Sequence, residues 1–497
     1  MTTQATETFE VLVLGAGISG IGAGIRLLDE GITDFTILEK AGDLGGTWRD
    51  NTYPGLACDV PSALYSYSFA QKPDWSRVFA GQGEILDYVR ATAQSRDVER
   101  YIRYNHEASR AQWCEADKQW HVKTHDRHYR ASVVITCTGY LHEPVVPDLP
   151  GIADFAGTLF HSSRWNHDHD LTGERVAVIG TGASAIQFVP RIQPEVAQLH
   201  VFQRTPQWVL PKPDGDMPGI GKTFLRLPLA LNAWRRMLFG GFETFGIGFR
   251  RPALLRQVQK LGLAHLRWAV PDPDLRAKLT PDYTLGCKRV LMSNDYYPAL
   301  NQSNVDVLAT GVKKIRGNVI VGNDGSEREV DTIILGTGFH VTEQPIAKRV
   351  HDDAGRSLSD HWADGMQAYM GTTIHGFPNT FMVLGPNLGI GHNSAFVVIE
   401  AQLDYIMDAI RTMRRRGIAR IEVTLNAQRR FNTRVQKALQ GTVWNTGGCS
   451  SYYLDANGLN SIGFPWSTLA MQRMLARFDR RQYHTEAADR PDAREAA

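Results

Sequence analysis

Two glycine clusters carry most of the chemistry legible in this chain. Gly15, Gly17 and Gly20 form a GxGxxG turn behind the apolar run at 11–14 and ahead of a helix-like stretch that ends at Asp29. In that setting the first glycine makes the turn. The second lets backbone approach a pyrophosphate, and the third lets helix and strand pack closely. The free N–H groups and positive dipole end of the helix then face the phosphates. Glu39 closes the next strand, FTILEK at 35–40, where an acid binds a ribose 2′-hydroxyl. Such an acid suits the adenosine of FAD or NAD and disfavours NADP.

Gly180, Thr181, Gly182, Ala183, Ser184 and Ala185 repeat the pattern as GxGxxA, behind the strand-like run at 175–179. The next strand ends in VFQRTP, with Arg204 and Thr205 where the first unit has its acid. A carboxylate there would repel a ribose 2′-phosphate, whereas a guanidinium binds one bidentately. The second site therefore reads as NADPH-binding and the first as FAD-binding, with hydride passing from NADPH to the flavin. From the flavin, electrons can go to a disulfide, to another redox carrier or to O2. The five cysteines (Cys58, Cys114, Cys137, Cys287, Cys449) are far apart in sequence. No close pair suggests a dithiol centre or a zinc site, and the expectation is scattered thiols in a reducing compartment. The residues alone leave the other two fates open.

The elements that position these turns form a duplicated strand–turn–helix–strand unit, with Gly31 as helix C-cap in the first copy. Two further apolar runs end in matching turns, VVITCTGY at 133–140 and TIILGTGF at 332–339. Each marks a crossing between nucleotide domains. The expected fold is α/β, with two Rossmann-like dinucleotide-binding domains. Residues 1–150 and 340–497 make the FAD domain, and 151–339 the NADPH domain with a helical insertion at about 219–278. Within that insertion, 237–249 is apolar, bounded by Arg235, Arg236, Arg250 and Arg251 and interrupted by Glu243. It reads as a packed helix, with an interfacial or substrate-entry role as the alternative. The charged tail after His484 reads as unstructured.

At 497 residues the chain exceeds one hydrophobic core. Its net charge of +2 gives no global pull toward nucleic acid. No run is long enough for a membrane span and the N-terminus lacks signal-peptide character, so a cytoplasmic enzyme, monomer or dimer, is expected without a metal.

FAGTLFHSSRW at 155–165 resembles the FxGxxxHxxxW fingerprint of Baeyer–Villiger monooxygenases, through Phe155, Gly157, His161 and Trp165. GTWRDNTYPGLACD at 46–59 is similar to that family's GxWxxxxYPGxxxD, and GCKR at 286–289 and GTGF at 336–339 follow in the family's order. Related N- and S-oxygenases usually carry Tyr at the place of Trp165, while Asn166 departs from the Pro or Asp common after that Trp. The resemblance implies conversion of a ketone to an ester or lactone with NADPH and O2, through a C4a-peroxyflavin. It makes Arg289 the active-site arginine, held by Asp59. Lys288 joins Arg204 and Thr205 around the 2′-phosphate. Gly46, Thr47, Trp48, Asp59 and Tyr65 line the FAD site, and His161 serves the domain junction rather than as a base. Tyr452, in CSSYY, stands where relatives place a nucleotide-contacting Trp. His392 and Asn393 are expected to face the flavin pocket. An N- or S-oxygenase, and a non-catalytic flavin redox sensor, are the alternatives.

Overall fold

The computed structural model describes residues 6–488. The chain opens with β1 (Thr6–Leu14), α1 (Ile18–Asp29), β2 (Phe35–Leu38), α2 (Thr47–Asp50) and α3 (Gln82–Ser95). β3 (Ile102–Arg103), β4 (Arg110–Cys114), β5 (Gln119–Lys123) and β6 (His128–Thr136) follow. After the first crossing come β7 (Thr158–His161), β8 (Arg175–Ile179), α4 (Ala185–Ile192), β9 (Gln198–Phe202) and β10 (Val209–Leu210). The insertion is α5 (Gly219–Leu225), α6 (Pro228–Arg250), α7 (Pro252–Ala269) and α8 (Pro273–Leu279). It is followed by β11 (Leu291–Met292), α9 (Tyr296–Leu300) and β12 (Val305–Leu308). β13 (Val312–Arg316), β14 (Val319–Gly322), β15 (Glu327–Glu329) and β16 (Thr332–Leu335) lead to the second crossing. Beyond it lie β17 (Val350–His351), α10 (Leu358–His361), β18 (Thr380–Met382), α11 (Ala395–Arg416) and β19 (Ile418–Val423). α12 (Leu425–Leu439), α13 (Val443–Thr446), α14 (Thr468–Leu475) and β20 (Tyr483–Ala487) complete the described chain.

The larger sheet runs β17-β4-β5-β6-β1-β2-β3. β1 lies between two parallel neighbours, with Val11 opposite both Phe35 and Val133. Burial on both faces explains why 11–14 is continuously apolar rather than alternating. β6 pairs β5 through its first half and β18 through its second, so one edge of β6 serves strands from both ends of the chain. The smaller sheet, β12-β9-β8-β16-β7, is parallel throughout and buries apolar clusters on both faces. The two crossings run side by side: Pro144 and Phe339 bridge, and the Val145 amide donates to the Gly338 carbonyl at 2.9 Å.

Two expectations need correction. The segment from His484 to Ala487 is a strand, antiparallel to β19, because Tyr483 anchors it in the core by hydrogen bonds with Tyr405 at 2.6 Å and Thr373 at 2.9 Å. The rest of the expected unstructured tail, 489–497, lies outside the described residues. Cys287 and Cys449 are not separate thiols. They form a disulfide across 162 residues, while Cys58, Cys114 and Cys137 remain free. Tertiary contact, invisible in the spacing, brings the two together.

Candidate functional site

The first glycine turn is built by close approach. Gly15 has φ +102°, and a Cβ there would stand 2.9 Å from the Cys137 carbonyl oxygen. A Cβ on Gly20 would lie 1.8 Å from the Gly15 carbonyl oxygen, so α1 rests directly on the turn. Gly17 caps α1 without any side-chain hydrogen bond, which leaves the first-turn N–H groups free for a ligand. Gly46, φ +54°, brings a second turn against Gly17. Glu39, just past β2, is buried and accepts from the amides of Ala16 (2.8 Å) and Ala41 (2.9 Å) and from Arg49 (3.1 Å). A carboxylate has about four acceptor positions, so one remains for a hydroxyl. Gly15, Gly17, Glu39, Gly46, Thr47, Trp48 and Tyr65 line one cleft, joined by Tyr140, Leu384 and Ala395. Trp48 Nε1 donates to the Tyr65 hydroxyl at 3.0 Å, and the Tyr65 ring meets Phe396 edge-on. The cleft fits a dinucleotide with an aromatic-lined far end.

The second turn repeats this geometry with different chemistry. Gly180 has φ +107°, and its Cβ would stand 2.4 Å from the Gly336 carbonyl oxygen. Gly182 faces open space and Ala183 is exposed, while Thr181 and Ala185 are buried. Ser184 caps α4 without a side-chain capping bond, its side chain meeting Tyr53 instead. Lys288 lies near Arg204: burial lowers its pKa, and the neighbouring guanidinium lowers it further. Among the described residues neither cation has an ion-pair partner, and Lys288 Nζ stands 5.3 Å over the Tyr283 ring. Asp282 acts on Lys288 from a distance, and two cations outside any ion pair beside the strand end suit a phosphate. Thr205 is next in chain to Arg204, and its carbonyl accepts from Gln207 Nε2 at 3.4 Å.

Arg289 is the neighbour of Lys288 and faces the first unit. Its Nε and Nη2 both donate to Asp59 Oδ2, at 2.8 and 2.5 Å. The Asp59 charge holds the Arg289 pKa well above its usual value, and 41% of the side-chain surface stays open. Asp59 ends the loop that begins at Gly46. Midway, Tyr53 donates to Gln187 Oε1 of α4 at 3.0 Å, and a Cβ on Gly55 would stand 2.7 Å from the Gln187 carbonyl oxygen. The YPG turn thus clamps the two nucleotide units together. The Cys287–Cys449 bond ties the arginine loop to the CSSYY segment. There Tyr452 is 41% exposed and stacks on buried Tyr453.

The remaining fingerprint residues sit in packing and hydrogen-bond contacts. A Cβ on Gly157 would stand 2.0 Å from the Asp331 carbonyl oxygen, and Phe155 packs against one apolar face of the smaller sheet. Trp165 meets Phe160 and Phe188 at ring distances of 5.1 and 5.3 Å. His161 Nδ1 bonds the Ser163 hydroxyl (2.8 Å) and accepts from its amide (3.1 Å), and the ring lies edge-on to Phe339 of the second crossing. Burial pushes its pKa down to about 4, so it is neutral at the junction.

One group escaped the sequence reading. Glu243 of α6 accepts from His392 Nε2 (3.0 Å), Asn393 Nδ2 (3.2 Å) and the Thr468 amide (3.1 Å). Burial raises its pKa, but these bonds outweigh that and hold it at about 2. His392 and Asn393 are therefore engaged with Glu243, and Asp59 with Arg289; none of the three is among the residues lining the Glu39 cleft, where each was expected. The signal available was a lone acid inside a basic, apolar helix. A cavity of about 810 Å³ between α6 and α11 is lined by Arg26, Arg235, Glu400 and Asp404 and touches neither glycine turn.

The profile of the flavin-binding monooxygenase-like family matches residues 8–216. A Baeyer–Villiger monooxygenase of Streptomyces coelicolor is 47% identical over 483 residues, covering 97% of this chain and 93% of its own. Another, of Pseudomonas aeruginosa, is 45% identical over 489 residues, covering 97% and 92%. The solved structure of OTEMO in complex with FAD and NADP superposes with a TM-score of 0.87 at 26% identity, over 97% of this chain and all of the other. With identity at this level sustained along nearly its whole length, the chain belongs to the Baeyer–Villiger monooxygenase family.

Proposed function

We infer that this protein is an FAD-containing, NADPH- and O2-dependent monooxygenase that converts a ketone to an ester or lactone. One observation supports the reading: the dipeptide Lys288–Arg289 links the two glycine-turn units, with Lys288 beside Arg204 of the second and Arg289 bonded to Asp59 of the first. FAD, when bound, takes two electrons from NADPH and activates O2. One oxygen atom enters between the carbonyl carbon and its neighbour, the other leaves as water, and NADPH with a proton supplies the electrons.

The chain's own residues do the positioning. Glu39 offers its remaining acceptor position to the ribose of the flavin nucleotide, and the uncapped N–H groups at Gly17 face the pyrophosphate. Arg204, Thr205 and Lys288 hold the 2′-phosphate, while Gly180, Gly182 and the α4 N-terminus hold the NADPH pyrophosphate. Arg289 keeps a permanent positive charge where negative charge develops, and Asp59 fixes its orientation. Burial pushes the Tyr140 phenol up to about 12, so it stays neutral and does not compete for that charge. The Trp48–Tyr65–Phe396 wall keeps water from the far end of the cleft.

The test pairs product analysis with one substitution. Incubated with a panel of linear and cyclic ketones, NADPH and ¹⁸O2, the protein is expected to yield ester or lactone carrying one labelled oxygen. Arg289→Ala should retain FAD yet lose about a thousandfold in turnover. NADPH consumption that yields only hydrogen peroxide with every ketone would sink the reading.

A further inference from the structure

The segment that the chemistry leaves unexplained is the outer side of the helical insertion. Within residues 219–269, α5, α6, α7 and their connections hold nine of the fifteen large apolar side chains that stand exposed among the described residues. Ile220, Leu229 and Trp268 are 87%, 85% and 80% exposed. On α7, Leu254, Leu261 and Trp268 recur every seven residues and share one face. On α6, Leu229, Met237 and Ile247 fall on one side, interleaved with exposed Ala233, Gly240 and Thr244. Both helices already bury their other faces, through Leu231 and Phe249 on α6 and Leu255 and Leu266 on α7. The core has its share, and an apolar stripe still faces outward. Patches of this kind mark interaction surfaces.

The same segment carries nine lysines and arginines and a single acid, Glu243, which is turned inward onto His392. That is net +8 in a chain whose total is +2, so the remainder carries −6. Among the described residues none of the nine forms an ion pair; Arg235 is turned inward onto the Ala63 carbonyl at 2.7 Å. Exposed apolar stripes in a segment rich in cations outside any ion pair match the interface of an anionic membrane, where side chains enter the acyl boundary and the charges meet phosphate headgroups. Trp268 between Arg267 and the α7 end has the amphipathic character favoured at that depth.

We propose that α5, α6 and α7 dock this enzyme peripherally on an anionic lipid bilayer surface. No described helix is long and apolar enough to cross a membrane, so the contact is interfacial. A second copy of the chain fits less well, because a self-complementary pairing of this face sets +8 against +8. The inference concerns a surface apart from the nucleotide clefts and stands whether or not the ketone chemistry does.

The experiment is co-sedimentation of the FAD-loaded full chain with large vesicles of phosphatidylcholine, alone or mixed with phosphatidylglycerol. Binding is expected only with phosphatidylglycerol and should weaken as salt is raised. Leu261→Ser/Trp268→Ser and Arg256→Glu/Lys260→Glu/Arg267→Glu should each lower partitioning about tenfold or more. Leu425→Ser/Leu469→Ser, exposed apolar positions elsewhere, should leave it unchanged. Flavin absorbance and the melting temperature report that each variant is folded. Absent binding, or folded insertion variants that partition like the parent, overturns the proposal. So does Leu261→Ser/Trp268→Ser converting a dimer to a monomer in analytical ultracentrifugation, which would make a second copy the occupant.

Discussion

The two glycine turns share a backbone plan and differ in two places. Gly15 and Gly180 both take a positive φ, and each abuts the carbonyl of a crossing segment, Cys137 in one case and Gly336 in the other. At the third position the first unit has Gly20 and the second Ala185. A methyl on Gly20 would overlap the Gly15 carbonyl, whereas the second turn accommodates one at full burial. At the next strand end the first unit has buried Glu39 and the second has Arg204 beside Lys288. On the proposed reading the turn specifies only that a pyrophosphate binds, the charge one strand later selects the nucleotide, and the third position limits how closely the helix can approach.

The largest effect expected from breaking that symmetry is at Gly20. Gly20→Ala forces the helix off the turn, because its neighbour is fixed backbone rather than a flexible side chain. The purified variant should lose its flavin absorbance, or fail to fold. A yellow, active Gly20→Ala protein would contradict the close approach. Next comes the charge rule. Arg204→Glu with Lys288→Ala should raise KM for NADPH about a hundredfold and change KM for NADH far less, since charge-assisted bonds to phosphate contribute roughly 1.5–3 kcal/mol each. Steady-state kinetics with both nucleotides checks this, and equal losses for the two would mean the cations do not read the 2′-phosphate.

The glycine turns, Glu39 and Arg204 follow local rules, a glycine at a tight turn and a charge at a fixed distance along the chain, whereas the Asp59–Arg289 pair, 230 residues apart, was implied only by the resemblance to a known family. The α/β class followed from buried parallel strands that read as continuous apolar runs. What escaped depends on partners distant in sequence. Cys287 meets Cys449 only after the C-terminal segment returns to the arginine loop. Glu243 reads as an interruption in an apolar helix until His392 and Thr468 are packed against it. β20 was hidden because its anchor, Tyr483, opens a run of polar residues whose pairing partner is β19.

A buried histidine packs against the second crossing. His161, near Phe339, has its pKa pushed from 6.5 to about 4. The unfolded chain therefore binds a proton between those values that the folded chain refuses. This loss of stability is absent above pH 6.5, grows as pH falls, and reaches about 2 kcal/mol by pH 5. His161→Asn, which can still accept from the Ser163 amide, should flatten the pH dependence of the urea midpoint across that window. An unchanged profile would mean the histidine titrates normally.

The smallest effect is the converse of the first. Ala185→Gly gives the second turn the third residue of the first, but no closer approach follows, because α4 is already seated with a methyl in place. What remains is the greater backbone entropy of glycine in the unfolded chain and a lost methyl contact, a cost of about 0.5–1 kcal/mol. Urea unfolding should show that shift, with KM for NADPH unchanged. A larger loss, or a weaker grip on NADPH, would mean that the Ala185 methyl sets the distance between helix and pyrophosphate, and that the third position belongs to binding as well as to packing.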